Sequence, residues 1–162
     1  LQMASTLIKH HSESLDEAWQ DGLENYRMFF ELDGAGETMR KILTGMYLYV
    51  GSHLAGVVLQ GPLDSGEQED EESCFSDNTH RDIITGIQGL RNVYSGTYGL
   101  IGGPGVKDVL LLLDPGLAGT IEDQLDQALE AANQLLPPFD QEIKPANTLK
   151  SHLEVFIKSP KS

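Results

Sequence analysis

Apolar residues recur at helical spacing along most of the chain. Ala4, Leu7, Ile8, His11, Leu15, Ala18 and Trp19 fall at three- and four-residue steps and predict an amphipathic helix, which Gly22 interrupts. "ENYRMFFEL" then supplies Tyr26, Phe29 and Phe30 before the turn Asp33-Gly34-Ala35-Gly36, whose glycines accept positive φ at little cost. The clearest stripe comes next. At about 100° per residue, Met39, Ile42, Leu43, Met46, Val50, His53, Leu54 and Val57 share one helix face. Gly45, Ser52 and Gly56 form a stripe of small residues beside it, which predicts close approach by another backbone and hence an interior helix of a bundle. His53 on that apolar stripe reads as a hydrogen-bonded core histidine.

In "THRDIITGIQGLRNVY" the core stripe is Ile83, Ile87, Leu90 and Tyr94, with Arg81, Thr85, Gln88 and Asn92 on the other side. Gly86 and Gly89 interrupt this helix, each at a cost of about 1 kcal/mol in propensity, so close packing or a ligand is the expected compensation. "SGTYGLIGGPG" reads as a loop. "VKDVLLLL" has no partner strand and is expected to be a short helix. Asp114-Pro115 provides a cap and a first-turn proline for a stripe of Leu117, Ile121, Leu125, Ala128, Leu129, Ala132 and Leu136. Pro137-Pro138 kinks or ends that helix, and a last short one carries Leu149, Leu153, Phe156 and Ile157 before Pro160. The expected fold is all-α, an antiparallel helical bundle of about four long helices plus short ones. Residues 1–162 form a single domain in this reading, with an acidic loop at about 61–73.

Charge narrows the range of partners. Eleven Lys and Arg stand against 25 Asp and Glu, a formal charge of −14, so phosphate backbones and anionic lipid headgroups are repelled and nucleic acid is excluded as a partner. The acids concentrate in "DSGEQEDEE", which reads as a solvated loop or, more sharply, as a cation-gathering lip beside a site. A single cysteine, Cys74, rules out an internal disulfide and leaves the compartment open. No charged-then-apolar leader and no apolar run approaching a transmembrane segment is expected, and the opening Leu1 reads as a processed chain or a piece of a longer one.

The densest chemistry lies in "EESCFSDNTHRDI". A helix beginning near Thr79 would be capped by Ser76, Asp77 or Thr79, with Asp82 adding negative charge to its first turn. Capping gives no reason for His80. His80 and Asp82 point in widely separated directions, which leaves Asp77 with His80 as the pair able to approach one ion. Two ligands are too few for a closed zinc or iron site, and there is no HExxH, no Cys cluster and no second His at i+4. Further metal ligands must come from elsewhere.

"SCFSDNTHRDI" followed by "GIQGLRNVYSG" resembles the C-terminal half of the imelysin family, bacterial iron-regulated proteins named for insulin-cleaving peptidase activity. "LIKHHSESLDEAW", "NYR" at Asn25 to Arg27, "RKILTGM" at Arg40 to Met46, "LAG" at Leu54 to Gly56 and "PPFD" at Pro137 to Asp140 resemble other parts of that half, in order. The resemblance implies two helical halves with a functional pocket where they meet, so an N-terminal half or a second copy is the partner that completes it. It also implies a protein of the bacterial envelope, periplasmic or outer-membrane-anchored, linked to iron uptake, with iron or zinc as the metal. Ser76, Asp77, Asn78, Thr79, His80 and Asp82 become the polar, ligand-binding wall, and Asp77 and His80 the metal pair.

The family's peptidase label rests on a GxHxxE motif in the other half. Here Gly51-Ser52-His53-Leu54-Ala55-Gly56 ends in Gly56 where the motif demands Glu, so His53 does not take its role and no catalytic residue is assigned. The chain departs from the family pattern twice more, with Val57-Val58 after "LAG" in place of Glu-Arg and Glu72 in place of His. The expected function is a non-catalytic protein binding a metal, a metal complex or a partner. The alternative is a zinc metallopeptidase, which needs an open metal position and a carboxylate base near the activated water.

Overall fold

Two side-chain caps set helices where the sequence asks for them. The Asn25 carboxamide oxygen accepts from the Met28 amide at 3.0 Å and Asp114 accepts from the Leu117 amide at 3.0 Å, the latter followed by Pro115 in the first turn. The structure, a computed structural model, describes residues 2–22 and 24–144. The expected helix bearing Leu149, Leu153, Phe156 and Ile157 lies outside them. The described residues are all-α apart from one hairpin of two short strands, and packing divides the chain into two compact units, Leu1–Tyr47 and Leu48–Ser162.

The first unit carries α1 (Gln2–Trp19), α2 (Tyr26–Leu32) and α3 (Ala35–Leu48). Trp19 stands edge-on to Tyr26 and Phe30, with ring centroids 5.1 and 5.3 Å apart. None of the three helices buries a residue. The apolar stripe of α1 is present as predicted, but it faces outward among the described residues, with Ile8 68% and Leu15 64% exposed. Gly45 likewise meets open space, so the close approach expected of the small-residue stripe is not seen there.

The second unit opens with the main departure from the expected periodicity. Tyr49–Gln60 is a π-helix, bonded i→i+5, and α4 (Gly61–Ser65) follows it. The wider turn moves the buried face: Leu54, Val58, Leu59 and Leu63 are buried, whereas Val50 and Val57 of the predicted α-stripe are 44% and 56% exposed. The helical run Ala35–Ser65 is also more membrane-like than expected, being long and apolar enough to cross a bilayer by length and composition alone. Core helices of soluble proteins pass the same test. No Asp, Glu, Lys or Arg falls between Ile42 and Leu63, and the glycines and His53 in this stretch hide that run from a first reading.

Helix α5 (Thr79–Ser95) buries Ile83, Ile87, Leu90 and Tyr94, as predicted. Its core is tied to α7 (Pro115–Ala132) by the buried Tyr94 hydroxyl, which donates to the Ala118 carbonyl at 2.6 Å. Arg91 and Asp126 pair across the same two helices at 2.8 Å. The glycine-rich segment is not wholly irregular. Strands β1 (Thr97–Tyr98) and β2 (Ile101–Gly102) pair antiparallel, with Gly99 at φ +59° in the first turn position, where tight hairpins favour glycine. "VKDVLLLL" is helix α6 (Val106–Leu113), joined to α7 by Lys107 and both oxygens of Glu122. Helix α7 ends at Ala132, before the proline pair. Phe139 and Ile143, fully buried, complete the core.

Tyr94→Phe should therefore lower stability by about 0.5–1.5 kcal/mol, because the Ala118 carbonyl loses the Tyr94 donor and keeps only its helical bond within α7. Thermal melts check this, with an expected fall of about 2–4 °C per kcal/mol for a chain of this size. A melting point unchanged from the parent would show the hydrogen bond contributes nothing.

Candidate functional site

The π-helix decides which side chains can share a wall. At the α-helical step, Tyr49 and Val58 would sit about 180° apart. With i→i+5 bonding, at roughly 4.4 residues per turn, they return to within roughly 20° of each other, and His53 and Leu54 flank them on either side, each within roughly 50° of Tyr49. These four residues line one side of a pocket of about 340 Å³. Asp82, Thr85 and Gly86, at i, i+3 and i+4 on α5, form a second side, and Glu72 and Ser73 of the preceding loop supply the rest. The volume lies at the lower end of the range for small-molecule sites, about 300–1,000 Å³.

The lining is acidic and rich in oxygen. It includes two carboxylates, one imidazole, one phenol and two aliphatic hydroxyls, with no Lys, Arg, Cys or Met. One Asp82 oxygen is enclosed and has no hydrogen-bond partner, an arrangement that costs free energy unless something supplies a positive charge or a donor. The Thr85 hydroxyl is already committed, donating to the Arg81 carbonyl at 2.8 Å. The Tyr49 hydroxyl lies against Gly86 and makes no hydrogen bond among the described residues. His53, expected in the core, instead lies half-buried on the pocket wall, its ring 5.3 Å from that of Tyr49. The altered helical pitch causes this change.

Of the six wall residues expected from the sequence, Asp82 lines this pocket. Ser76 and Asp77 are exposed, with Asp77 in left-handed backbone at φ +53° and accepting from Gln68 Nε2 at 2.9 Å. Asn78 is the N-cap residue of α5 but makes no side-chain cap. Capping by Ser76, Asp77 or Thr79 is thus replaced by another arrangement: the fully buried Thr79 hydroxyl accepts from the Ser73 amide at 3.1 Å and folds the loop back onto the helix start. His80 is half-buried with Nδ1 enclosed and unpartnered. Among the described residues no three His, Cys, Asp or Glu side chains converge to hold a metal ion. The donors on the pocket wall therefore suit a cation that arrives with ligands of its own better than a bare ion.

The acidic loop is not uniformly solvated either. Glu71 is 5% exposed and neither carboxylate oxygen has a hydrogen-bond partner. Burial raises its pKa above the ordinary carboxyl value, Thr79 beside it works in the opposite direction without forming a sound hydrogen bond, and the nearby Asp140 and Asp77 charges raise it further. Residues Tyr49, Ser73, Thr85 and Gly86 were not singled out as site residues by sequence, although Gly86 carried a signal as a costly glycine inside a helix.

An all-α chain with an acidic pocket between a π-helix and the helix that begins within an SDNTHRD segment is the class defined so far. The family model described as Imelysin (peptidase M75) matches residues 1–153, and the chain belongs to that family. No curated protein matches it. Val58 and Glu72, two of the positions at which the resemblance implies a different residue in the family, both line this pocket.

Glu71→Gln should stabilise the protein near neutral pH. Because the folded state raises the Glu71 pKa, it binds that proton more tightly than the unfolded chain does. The associated stability is present below the ordinary carboxyl pKa of 4.5 and is lost as pH rises through the folded-state value. Melts near neutral pH should show a gain of about 1 kcal/mol over the parent that vanishes well into the acid range. A gain that is equal at both pH values would mean the charge is not the cause.

Proposed function

We propose that this imelysin-family chain is a non-catalytic binding protein of the bacterial envelope, periplasmic or outer-membrane-anchored and associated with iron uptake. Its pocket takes a cationic ligand, a metal ion that keeps ligands of its own or a metal complex. The observation that carries this reading is the enclosed, unpartnered Asp82 oxygen on a pocket wall that also bears Glu72 and His53 and no Lys or Arg. A cation relieves the desolvation of Asp82 and is drawn by the charge of −14, whereas an anion is opposed by both. The volume leaves room for the ligands or waters a metal brings with it. An N-terminal half or a second copy of the chain is the partner that would close the open side.

A peptidase of the metal-dependent kind requires about three protein ligands converging on one ion and a base in reach of its water. The described residues bring no three candidate ligands together, which weighs against that reading. His80 and Asp77, the metal pair expected from the sequence, remain part of the proposal only as residues next to the pocket in sequence, with His80 Nδ1 enclosed and unpartnered.

Calorimetric titration with Fe²⁺, Zn²⁺ and Fe³⁺ supplied as its nitrilotriacetate complex tests the proposal. Asp82→Asn and His53→Ala should each weaken binding by about tenfold or more, the loss expected for one contact to a charged group, with melting points close to that of the parent. Affinities equal to the parent in both variants would remove the pocket from the proposal. With zinc supplied, the chain should leave an unstructured protein substrate intact; turnover that follows the protein through chromatography and stops with chelator would favour the peptidase.

A further inference from the structure

We propose that Tyr49 is the selecting ligand of this pocket, its phenol oxygen bonding a hard, highly charged cation, and that Gly86 is the residue that admits it. The inference rests on the cation-binding reading above. A Cβ placed on Gly86 would lie 2.6 Å from the Tyr49 hydroxyl oxygen and 3.6 Å from Leu54 Cδ1, so the space that a side chain would take is filled by the end of the phenol. Gly89, three residues further along the same helix, meets nothing within 4 Å. Packing thus accounts for one of the two costly helix glycines, and it does so by placing a phenol inside the pocket. Tyr49 is 37% exposed, so its hydroxyl is open to solvent and to an incoming ligand, and it lines the same pocket as the enclosed, unpartnered Asp82 oxygen.

The donor types select the ligand class. Phenol and carboxylate oxygens are hard donors, the lining has a single imidazole, that of His53, and it contains no thiolate or thioether. Two carboxylates and a phenol beside that one nitrogen favour a trivalent cation such as Fe³⁺ over Zn²⁺, which takes several imidazoles or thiolates readily. On binding, the phenol O–H gives its proton to solvent as the oxygen–metal bond forms, and no electron is transferred.

The test uses the full chain and Fe³⁺ added as its nitrilotriacetate complex. The parent should develop a visible absorption band of phenolate-to-ferric charge transfer that Zn²⁺ does not produce. Tyr49→Phe, which keeps the ring and its packing, should abolish the band and weaken Fe³⁺ binding by about tenfold while changing Zn²⁺ affinity less than about twofold. Gly86→Ala should diminish the band by displacing the phenol, and Gly89→Ala should retain it. A parent that binds Fe³⁺ without the band, or a band that survives Tyr49→Phe, overturns the role of Tyr49 and leaves the cation pocket standing. Absence of binding by every ion overturns both.

Discussion

The i→i+5 hydrogen bonding of Tyr49–Gln60 is the constraint on which the rest of the second unit depends. Each π-turn spends more residues per revolution than an α-turn, so one segment can present Leu54, Val58 and Leu59 to the core while its neighbouring wall carries Tyr49 and His53. Wound as an α-helix, the same residues would scatter around the cylinder, and the core and the pocket would lose a shared face. Helical geometry of this kind is rare and frequent at functional sites, and here the pocket lies directly against it.

Buried, unpaired carboxylates set the chemical character of the region. Glu71 and Asp82 are eleven positions apart on either side of the Ser73–Thr79 hydrogen bond that turns the chain into α5, and both hold oxygens without donors. They differ in what surrounds them. Glu71 is nearly sealed, and its charge is opposed by Asp77 and Asp140, whereas Asp82 opens onto a pocket. The first arrangement is a charge the fold tolerates at a cost; the second is a charge positioned where a ligand can answer it.

Regular α-helical parts of the chain were legible in the sequence for identifiable reasons. The stripe of Ile83, Ile87, Leu90 and Tyr94 keeps a steady 3.6-residue period beside a polar face, and Asp114-Pro115 is a cap whose chemistry is local. The π-helix was not legible, because Tyr49–Gln60 is apolar on nearly every side and a short run of that kind fits several periods. The same error of period placed His53 in the core. Site residues divide in the same way: Asp82 could be found from its motif, but Tyr49, Glu72 and Thr85 meet only through tertiary packing, which no local pattern records. Glu71 was hidden by its acidic neighbours, since a burial decision about one residue leaves no trace in the composition of a run.

The first unit has a consequence for the order in which the protein opens. Since α1, α2 and α3 shelter no side chain, their helical amides gain little from tertiary burial and depend on propensity, the Asn25 cap and the Trp19–Tyr26–Phe30 ring cluster. Their amide protons exchange with solvent through small, local openings. Those of α5, locked over Ile83, Ile87 and Leu90, wait for the whole second unit to unfold. Amide exchange is thus expected to divide the chain into an early segment and a late one, and the pocket belongs to the late one.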